Sequence, residues 1–115
     1  MSSNREAGRR GEERVADYLR GKGYVILERN FYSGHREIDI IALKHGTVVF
    51  VEVKSRNTDR FGSGMESITP RKKRHIVSAA RYFLYRRGYR CYSIRFDVAS
   101  LDGNRLRYVE NAFYP

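Results

Sequence analysis

Two apolar segments joined by a short turn constrain the fold of this 115-residue chain more than any other feature. Residues 36–43 and 48–54 are short, rich in Val and Ile, and bounded by polar or turn-forming residues, which favours β-strands. The His45-Gly46 dipeptide between them is typical of a tight hairpin turn. Segment 48–54 is apolar on both of its faces, which indicates a central strand covered on both sides by other elements.

The remaining segments extend this hairpin into a complete α/β fold. Helical spacing of apolar residues predicts a first helix over 4–21, and Thr69-Pro70 and Gly88 mark the two ends of a second helix. We expect strands at 24–30, 92–99 and 105–110 as well, and a mobile surface loop over 55–67. The order α-β-β-β-α-β-β predicts one domain, residues 1–115, built as a mixed central sheet of about five strands flanked by helices.

Composition excludes several classes of protein. The sequence contains no stretch near the ~20 apolar residues of a membrane span, and its first residues are too polar for a signal peptide. The single Cys91 excludes a disulfide framework within the chain and a Cys-rich zinc site. We therefore expect a cytoplasmic protein with neither a membrane partner nor a small-molecule substrate.

The charge balance points to a polyanion as partner. The chain has 23 Lys and Arg against 13 Asp and Glu, which gives a formal net charge of +10. A charge of this size on one domain favours contacts with the phosphates of nucleic acid, although ribosome-associated and membrane-surface proteins share it.

The register of the hairpin can be predicted from the residues alone. If the turn has two residues, Lys44 lies opposite Thr47, and the two residue numbers of every opposed pair add up to 91. Four of these pairs lie on one face of the sheet: Leu43 with Val48, Ile41 with Phe50, Asp39 with Glu52 and Glu37 with Lys54. One end of the face is therefore apolar, and the other end brings two carboxylates to a Cβ separation of about 5 Å.

Two opposed carboxylates beside apolar residues repel each other and resist desolvation, so we expect a cation between them. Mg²⁺ or Mn²⁺ suits such hard oxygen ligands better than Zn²⁺ does. Lys54 lies on the same side as Glu52 and could orient or deprotonate a water, or neutralise charge on a phosphate. The combination suits phosphodiester hydrolysis, whereas the alternative is a solvated strand end with ordinary cross-strand ion pairs.

A third carboxylate is expected from the first helix. Glu12 shares a helix face with Val15, Ala16 and Leu19, whereas Glu13 lies toward the edge of that face. A Glu on a core-facing stripe requires a partner, and the metal site is one candidate. The alternative is a first-turn Glu that interacts favourably with the helix dipole.

Several segments in order carry a resemblance to a known family. They are GRRGE at 8–12, EIDII at 37–41, VFVEVKSR at 49–56, TPRK at 69–72, RFDV at 95–98 and ENAF at 110–113. Together they resemble the PD-(D/E)XK nuclease superfamily and, within it, the YraN-like family of small bacterial proteins, which are distantly similar to archaeal Holliday-junction resolvases. Two departures are Ile38 in place of the Pro of the superfamily's name, and Arg36 where the family often has Gly.

The resemblance implies a restriction-endonuclease-like three-layer fold and a metal-dependent endonuclease that hydrolyses DNA phosphodiester bonds, with branched recombination or repair intermediates as candidate substrates. It assigns Asp39 and Glu52 as ligands of Mg²⁺ or Mn²⁺, the Val53 carbonyl as a third ligand, Lys54 as the catalytic lysine, and Glu12 as the carboxylate that completes the site. By analogy with resolvases, it also makes a homodimer a candidate assembly.

The basic residues supply a candidate DNA-binding surface. Free N–H groups and cationic side chains at the start of the second helix suit a phosphate backbone. The residues that we expect to bind nucleic acid are Arg9, Arg10, Arg56, Arg71, Lys72 and Lys73, with Arg60, Arg74 and His35 as further candidates; the alternative for the cations is a solvated charged helix end. Tyr82, Tyr85, Tyr89 and Tyr92 could stack on unpaired bases, although we expect most tyrosines in the core or at interfaces. Two other functions remain open: a catalytically inactive nucleic-acid-binding module of the same fold, and a basic protein that docks onto an acidic partner.

Overall fold

The computed structural model describes residues 3–34, 36–56, 68–88, 90 and 93–115, with their side chains except those of 3–8 and 56. The elements are α1 (Ser3–Gly21), β1 (Val25–Ser33), β2 (Arg36–Lys44), β3 (Thr47–Arg56), α2 (Pro70–Arg87), β4 (Ser93–Asp102) and β5 (Arg105–Phe113). The predicted order α-β-β-β-α-β-β is confirmed. In the described part of the chain, neither helix is long and apolar enough to span a membrane.

The five strands form one mixed sheet in the order β1-β2-β3-β4-β5. Neighbouring strands are antiparallel except β3 and β4, which run parallel. A parallel pair requires a long crossover connection, and α2 lies within the connection between these two strands. The predicted mixed sheet is therefore confirmed, with β3 at its centre.

The sheet separates two apolar clusters. On one face, Val15 and Leu19 of α1 pack against Val49 and Val51 of β3. On the other face, α2 packs against the alternate β3 residues, among them Phe50. Successive residues of β3 are thus buried on opposite faces, which confirms the prediction of a doubly covered central strand and gives the molecule three layers.

Local signals set the ends of α2 where the sequence predicts them. Thr69 is the N-cap, and its side-chain oxygen accepts a hydrogen bond of 3.1 Å from the Lys72 backbone N–H. Pro70 occupies the first turn, where its missing N–H costs nothing. Gly88 ends the helix in the left-handed region, with φ 58° and ψ 30°. The cap at Thr69 fixes the orientation of the first turn, which carries the basic residues.

Close packing holds α1 over the carboxyl end of β3. A Cβ atom at Gly11 would lie 2.5 Å from Ser55 Oγ and 2.9 Å from Leu101 Cδ1, so only glycine allows this approach without a shift of its neighbours. Glu12 follows Gly11 directly, and the short distance between helix and sheet therefore brings its carboxylate near the strand ends.

Several strands are longer than predicted. β1 ends at Ser33, β4 at Asp102 and β5 at Phe113, rather than at 30, 99 and 110. Pairing with neighbouring strands explains the extension, since the parallel ladder of β3 and β4 continues to Arg56–Asp102. Residues 55 and 56 of the predicted loop therefore belong to β3, and the rest of that loop lies outside the described residues.

Candidate metal centre

The hairpin of β2 and β3 has the predicted register near its turn. The paired positions run from Lys44–Thr47 to Ile40–Val51 and include Ile41–Phe50. The two further pairs predicted, Asp39 with Glu52 and Glu37 with Lys54, lie beyond this ladder. There the Val53 backbone N–H donates a 2.8 Å hydrogen bond to Asp39 Oδ2. The Asp39 carboxylate therefore takes the place of a backbone acceptor, and it lies between the two strands rather than on one regular face.

An interruption of the strand alternation explains this position. Ile38 and Ile41 pack in the same α2-side cluster, although side chains three residues apart in a regular strand point to opposite faces. Ile40, between them in sequence, packs on the α1 side. The alternation of β2 therefore breaks next to Asp39, which frees its side chain from the two packed layers.

Three carboxylates converge at this point. One carboxylate oxygen from each of Glu12, Glu37 and Asp39 lies within 4.8 Å of the other two, and all three residues are partly buried. The Glu12 side chain is 18% exposed and Glu13 is 52% exposed, so the helix face does select Glu12 as predicted. Glu13 instead accepts a 2.6 Å hydrogen bond from Arg29 Nη1. The cluster thus joins α1 to β2 at the end of the sheet.

Glu52 lies beside this cluster and contacts two ammonium groups. Its side chain is 7% exposed, with Oε2 at 3.5 Å from Lys72 Nζ and at 3.7 Å from Lys54 Nζ. Among the described residues, the group of oxygens within 4.8 Å does not extend to Glu52. Its charge nevertheless acts on Asp39, because it is the second largest cause of the raised pKa of that residue. The four carboxylates therefore form one electrostatic unit.

Burial and mutual repulsion raise the pKa values of Glu12, Asp39 and Glu52. Burial, followed by the charge of Glu52, raises the pKa of Asp39 to about 8, against the opposing effect of the Val53 hydrogen bond. Burial also raises the pKa of Glu52, although Lys72 and Lys54 act in the opposite direction. For Glu12, burial raises the pKa, while the Asn30 hydrogen bond and the Arg29 charge lower it. The surroundings thus supply too little positive charge for Glu12, Asp39 and Glu52 all to ionise at their ordinary pKa values.

The arrangement fits a small divalent cation. Mg²⁺ binds oxygen ligands at 2.0–2.1 Å, so two of its ligand oxygens lie at most about 4.2 Å apart. Carboxylate oxygens within 4.8 Å of one another reach that spacing through small side-chain rotations. Hard oxygen donors also suit Mg²⁺ and Mn²⁺ rather than Zn²⁺. The donor set and its spacing therefore suit Mg²⁺ or Mn²⁺, and the cofactor stays a prediction.

Comparison with known proteins places the chain in a family. The sequence profile of the uncharacterised protein family UPF0102 matches residues 11–101. The chain belongs to this family. A UPF0102 protein from Syntrophomonas wolfei is 46% identical over 114 residues, which cover 96% of this chain and 99% of the relative. UPF0102 proteins from Persephonella marina (43% over 106 residues, 92% and 91% coverage) and Chlorobium chlorochromatii (45% over 123 residues, 98% and 95% coverage) are also similar.

The identification confirms the resemblance to the YraN-like family. The matched span begins at Gly11 and includes every carboxylate of the cluster, together with Lys54 and Lys72. The site of this UPF0102 protein therefore lies within the part of the chain that defines the family.

The predicted nucleic-acid contacts occupy different positions in the UPF0102 fold. Arg9 and Arg10 are exposed on α1, and Arg71 is exposed on α2. Lys72 is partly buried and contacts Glu52. It therefore belongs to the candidate metal centre rather than to the surrounding basic surface. Lys73 lies with Nζ 5.7 Å from the centroid of the Phe113 ring. The Arg56 side chain and residues His35, Arg60, Tyr89 and Tyr92 lie outside the described part of the structure.

Some residues of the site escaped the sequence analysis. Glu37 is predicted opposite Lys54, but the β2–β3 ladder ends at Ile40–Val51, and Glu37 instead lies in the carboxylate cluster. Arg29 approaches Glu12, with Nη2 3.9 Å from Oε1, across a helix–sheet contact that leaves no local signal. Asn30, the residue after Arg29, has φ 53°, a left-handed conformation in which Asn is enriched. An Asn at this position is therefore the sequence feature that could have indicated an irregular strand.

The sequence analysis also did not predict that a second acid, Asp97, is buried at the centre of a hydrogen-bond network. Asp97 is fully buried and accepts hydrogen bonds from the Arg95 guanidinium at 2.9 Å, from Tyr108 Oη at 2.6 Å and from the Asn111 backbone N–H at 3.0 Å. Arg95 also donates to the Tyr24 hydroxyl. Because these bonds join β4 to itself, to β5 and to the residue just before β1, the network stabilises the sheet and stands apart from the metal-binding candidates.

Proposed function

We propose that this UPF0102 protein is a Mg²⁺- or Mn²⁺-dependent endonuclease of the PD-(D/E)XK type, which hydrolyses phosphodiester bonds in DNA. The observation that carries the proposal is the convergence of the Glu12, Glu37 and Asp39 carboxylates beside a buried Glu52 that contacts two lysines. A purely structural role gives no reason to bury these carboxylates together, since without a cation burial and repulsion raise the pKa of Asp39 to about 8.

The carboxylates would hold the cation. Asp39 and Glu52 are the proposed ligands, with the Val53 carbonyl and Glu12 completing the set, and the position of Glu37 makes it an additional ligand candidate. When bound, the ion lowers the pKa of water and stabilises negative charge on a phosphate oxygen. The hydrogen bond from the Val53 N–H holds Asp39 in place for this role.

The two lysines that contact Glu52 would have different roles. Lys54 lies on β3 two residues after Glu52, so its ammonium can orient an attacking water or neutralise charge that develops on the phosphate. Lys72, which reaches the same Glu52 oxygen from α2, offers a second ammonium to a bound phosphate. Both side chains keep some exposure, 26% and 42%, and a substrate can therefore reach them.

The basic surface would hold the DNA backbone. Arg71 and Lys73 flank Lys72 at the start of α2, and Arg9, Arg10 and Arg56 are the other proposed contacts. A DNA substrate would place the protein in the cytoplasm of a bacterial cell. Symmetric incision of a branched recombination intermediate needs two active sites, so cleavage of this substrate would require a homodimer.

A cleavage assay tests the proposal. Labelled linear and branched DNA is incubated with Mg²⁺ or Mn²⁺ and with the wild type or the variants Asp39→Ala, Glu52→Ala and Lys54→Ala. We expect each variant to cut at least about 100-fold more slowly, because each removes a charge that acts on the reacting phosphate or its cation. Asp17→Ala is the matched control, since the Asp17 side chain is 68% exposed on α1 and should leave the rate unchanged.

The assay also separates the alternatives. A wild type that cuts nothing, or variants that cut as fast as the wild type, would refute the endonuclease. DNA binding that weakens steeply with salt, without cleavage, would indicate an inactive nucleic-acid-binding module. Binding that hardly changes with salt would indicate a protein that docks onto an acidic partner.

A further inference from the structure

A groove between α2 and the C-terminal end of β5 lies outside the candidate metal centre. It has a volume of about 400 Å³, within the range of about 300–1,000 Å³ that ligand pockets occupy. Its lining residues are Lys73, Arg74, Val77, Ser78 and Arg81 of α2, together with Tyr114 and Pro115. We refer to it as the α2–β5 groove.

The charged side chains of the α2–β5 groove are all positive. Lys73, Arg74 and Arg81 line it, and the segment Pro70–Arg87 that forms α2 contains no Asp or Glu. In the described part of the chain, none of these three cations takes part in a salt bridge, whereas other basic residues of α2 do, for example Arg87 with Glu28. The groove thus presents cations that an external anion can reach.

An exposed aromatic ring stands beside these cations. The Tyr114 side chain is 75% exposed although it lines the groove, and Val77 and Pro115 add apolar surface next to it. Phe113, directly before Tyr114, is buried with its ring 5.1 Å from that of Phe96. The backbone at Tyr114 is therefore anchored, and the ring itself remains free to stack on a ligand.

The α2–β5 groove lies next to the proposed active site along α2. Lys72 and Lys73 are successive residues of α2, and the first contacts Glu52 while the second lines the groove. Neighbouring helix positions differ by about 100° in direction, so a chain of phosphates passing the start of α2 can meet both ammonium groups. One polymer can in this way occupy the metal centre and the groove together.

We propose that the α2–β5 groove binds single-stranded DNA, with phosphates on Lys73, Arg74 and Arg81 and an unpaired base stacked on Tyr114. The choice of DNA as the polymer rests on the proposed function, and the groove would hold the unpaired strand that leaves the site of cleavage. Cations that follow the backbone together with an aromatic ring for the bases are the combination that single-strand binding uses. A duplex would offer the phosphates, but its paired bases could not reach the Tyr114 ring.

The test measures binding without cleavage, in EDTA, by fluorescence anisotropy of labelled ligands. The ligands are a 20-mer of thymidine, an abasic 20-mer with the same phosphates, and a 20-base-pair duplex. We expect Tyr114→Ala to weaken binding of the thymidine 20-mer about ten-fold, which corresponds to the usual loss of one stacked base. Binding of the abasic 20-mer and of the duplex should remain unchanged by that substitution.

A charge series tests the cations. The double variant Arg74→Gln/Arg81→Gln should reduce the slope of log affinity against log salt by about 1.4, since each phosphate contact contributes about 0.7 for single strands. The matched control Arg14→Gln/Arg20→Gln removes two exposed cations from α1 and should change the slope much less. Circular dichroism verifies that all variants are folded, which is expected because the altered side chains are exposed.

Either of two outcomes would overturn the proposal: equal losses for the thymidine and abasic ligands with Tyr114→Ala, or groove variants that bind like the control. Failure of the proposed function is distinguishable, because it would appear as absent cleavage by the wild type in Mg²⁺ while the binding differences in EDTA persist.

Discussion

Replacement of Asp39 by Asn should stabilise the metal-free protein while it removes the proposed catalytic site. Burial and the neighbouring carboxylates raise the pKa of Asp39 from 3.8 to about 8. Between these two pH values the folded state retains a proton that the unfolded state has lost, so the free energy of unfolding falls as the pH rises. This cost is absent below about pH 4 and complete above about pH 8.

The structure sets the size of the effect. A shift of about four pH units, at about 1.36 kcal/mol for each unit, gives a ceiling of about 5–6 kcal/mol. Local relaxation and entry of water reduce this value, and we expect Asp39→Asn to gain about 1–3 kcal/mol at pH 8.5. The Asn side chain still offers an oxygen to the Val53 N–H, so the hydrogen bond of 2.8 Å need not be lost. For a chain of this length the gain corresponds to a rise in Tm of roughly 4–12 °C.

Thermal unfolding in EDTA at pH 8.5 and at pH 4.5 measures the difference. We expect a clear gain for Asp39→Asn at the higher pH and little change at the lower one. The control is Asp17→Asn, which replaces an exposed acid on α1. It should shift Tm by less than about 2 °C at either pH. If Asp39→Asn is no more stable than the wild type at pH 8.5, the burial and repulsion assigned to the cluster are wrong.

Three further predictions concern the same layers of the molecule. Calorimetric titration with Mn²⁺ should show affinity rising between pH 5 and about 8 and proton release on binding, because the cation displaces the proton of Asp39; affinity that is independent of pH would contradict the assignment. Gly11→Ala should destabilise the protein by about 1–3 kcal/mol in urea unfolding, since its Cβ would meet Ser55 Oγ at 2.5 Å, whereas Gly21→Ala, with free space around it, should be neutral or stabilising. Asp97→Ala should cost about 3–5 kcal/mol, because it leaves a partly buried guanidinium on β4 without its carboxylate; a loss below about 1 kcal/mol would show that the network is dispensable.

Features with a local cause could be predicted from the sequence. The ends of α2 follow from the Thr69 side chain, the Pro70 ring and the left-handed Gly88, each of which acts within one helical turn. The hairpin register follows from a two-residue turn, and the observed Ile41–Phe50 pair confirms it. Burial of Glu12 follows from helical periodicity alone. In each case the residues that decide the structure are neighbours in the chain.

The part of the site that could not be predicted depends on contacts between distant segments. Strict alternation predicts Asp39 opposite Glu52, but the Val53 N–H binds the Asp39 carboxylate and ends the regular ladder. The alternation of β2 breaks next to Asp39, and Asn30 on the neighbouring strand β1 adopts a left-handed conformation. Both irregularities become visible only in the folded sheet. Glu37 joins the cluster for the same reason. Irregular backbone at a carboxylate cluster is itself typical of a functional site.

The most direct test of the central claim, that these carboxylates hold a divalent cation, is an anomalous difference map from a crystal grown with Mn²⁺. We expect one or two peaks among the carboxylate oxygens of Glu12, Glu37 and Asp39, with Glu52 beside them, and within about 2.0–2.3 Å of at least two of these oxygens. A map from Asp39→Asn crystals should lose the peak or show it strongly weakened. Strong Mn²⁺ peaks elsewhere on the molecule, with this cluster empty at saturating Mn²⁺, would contradict the account.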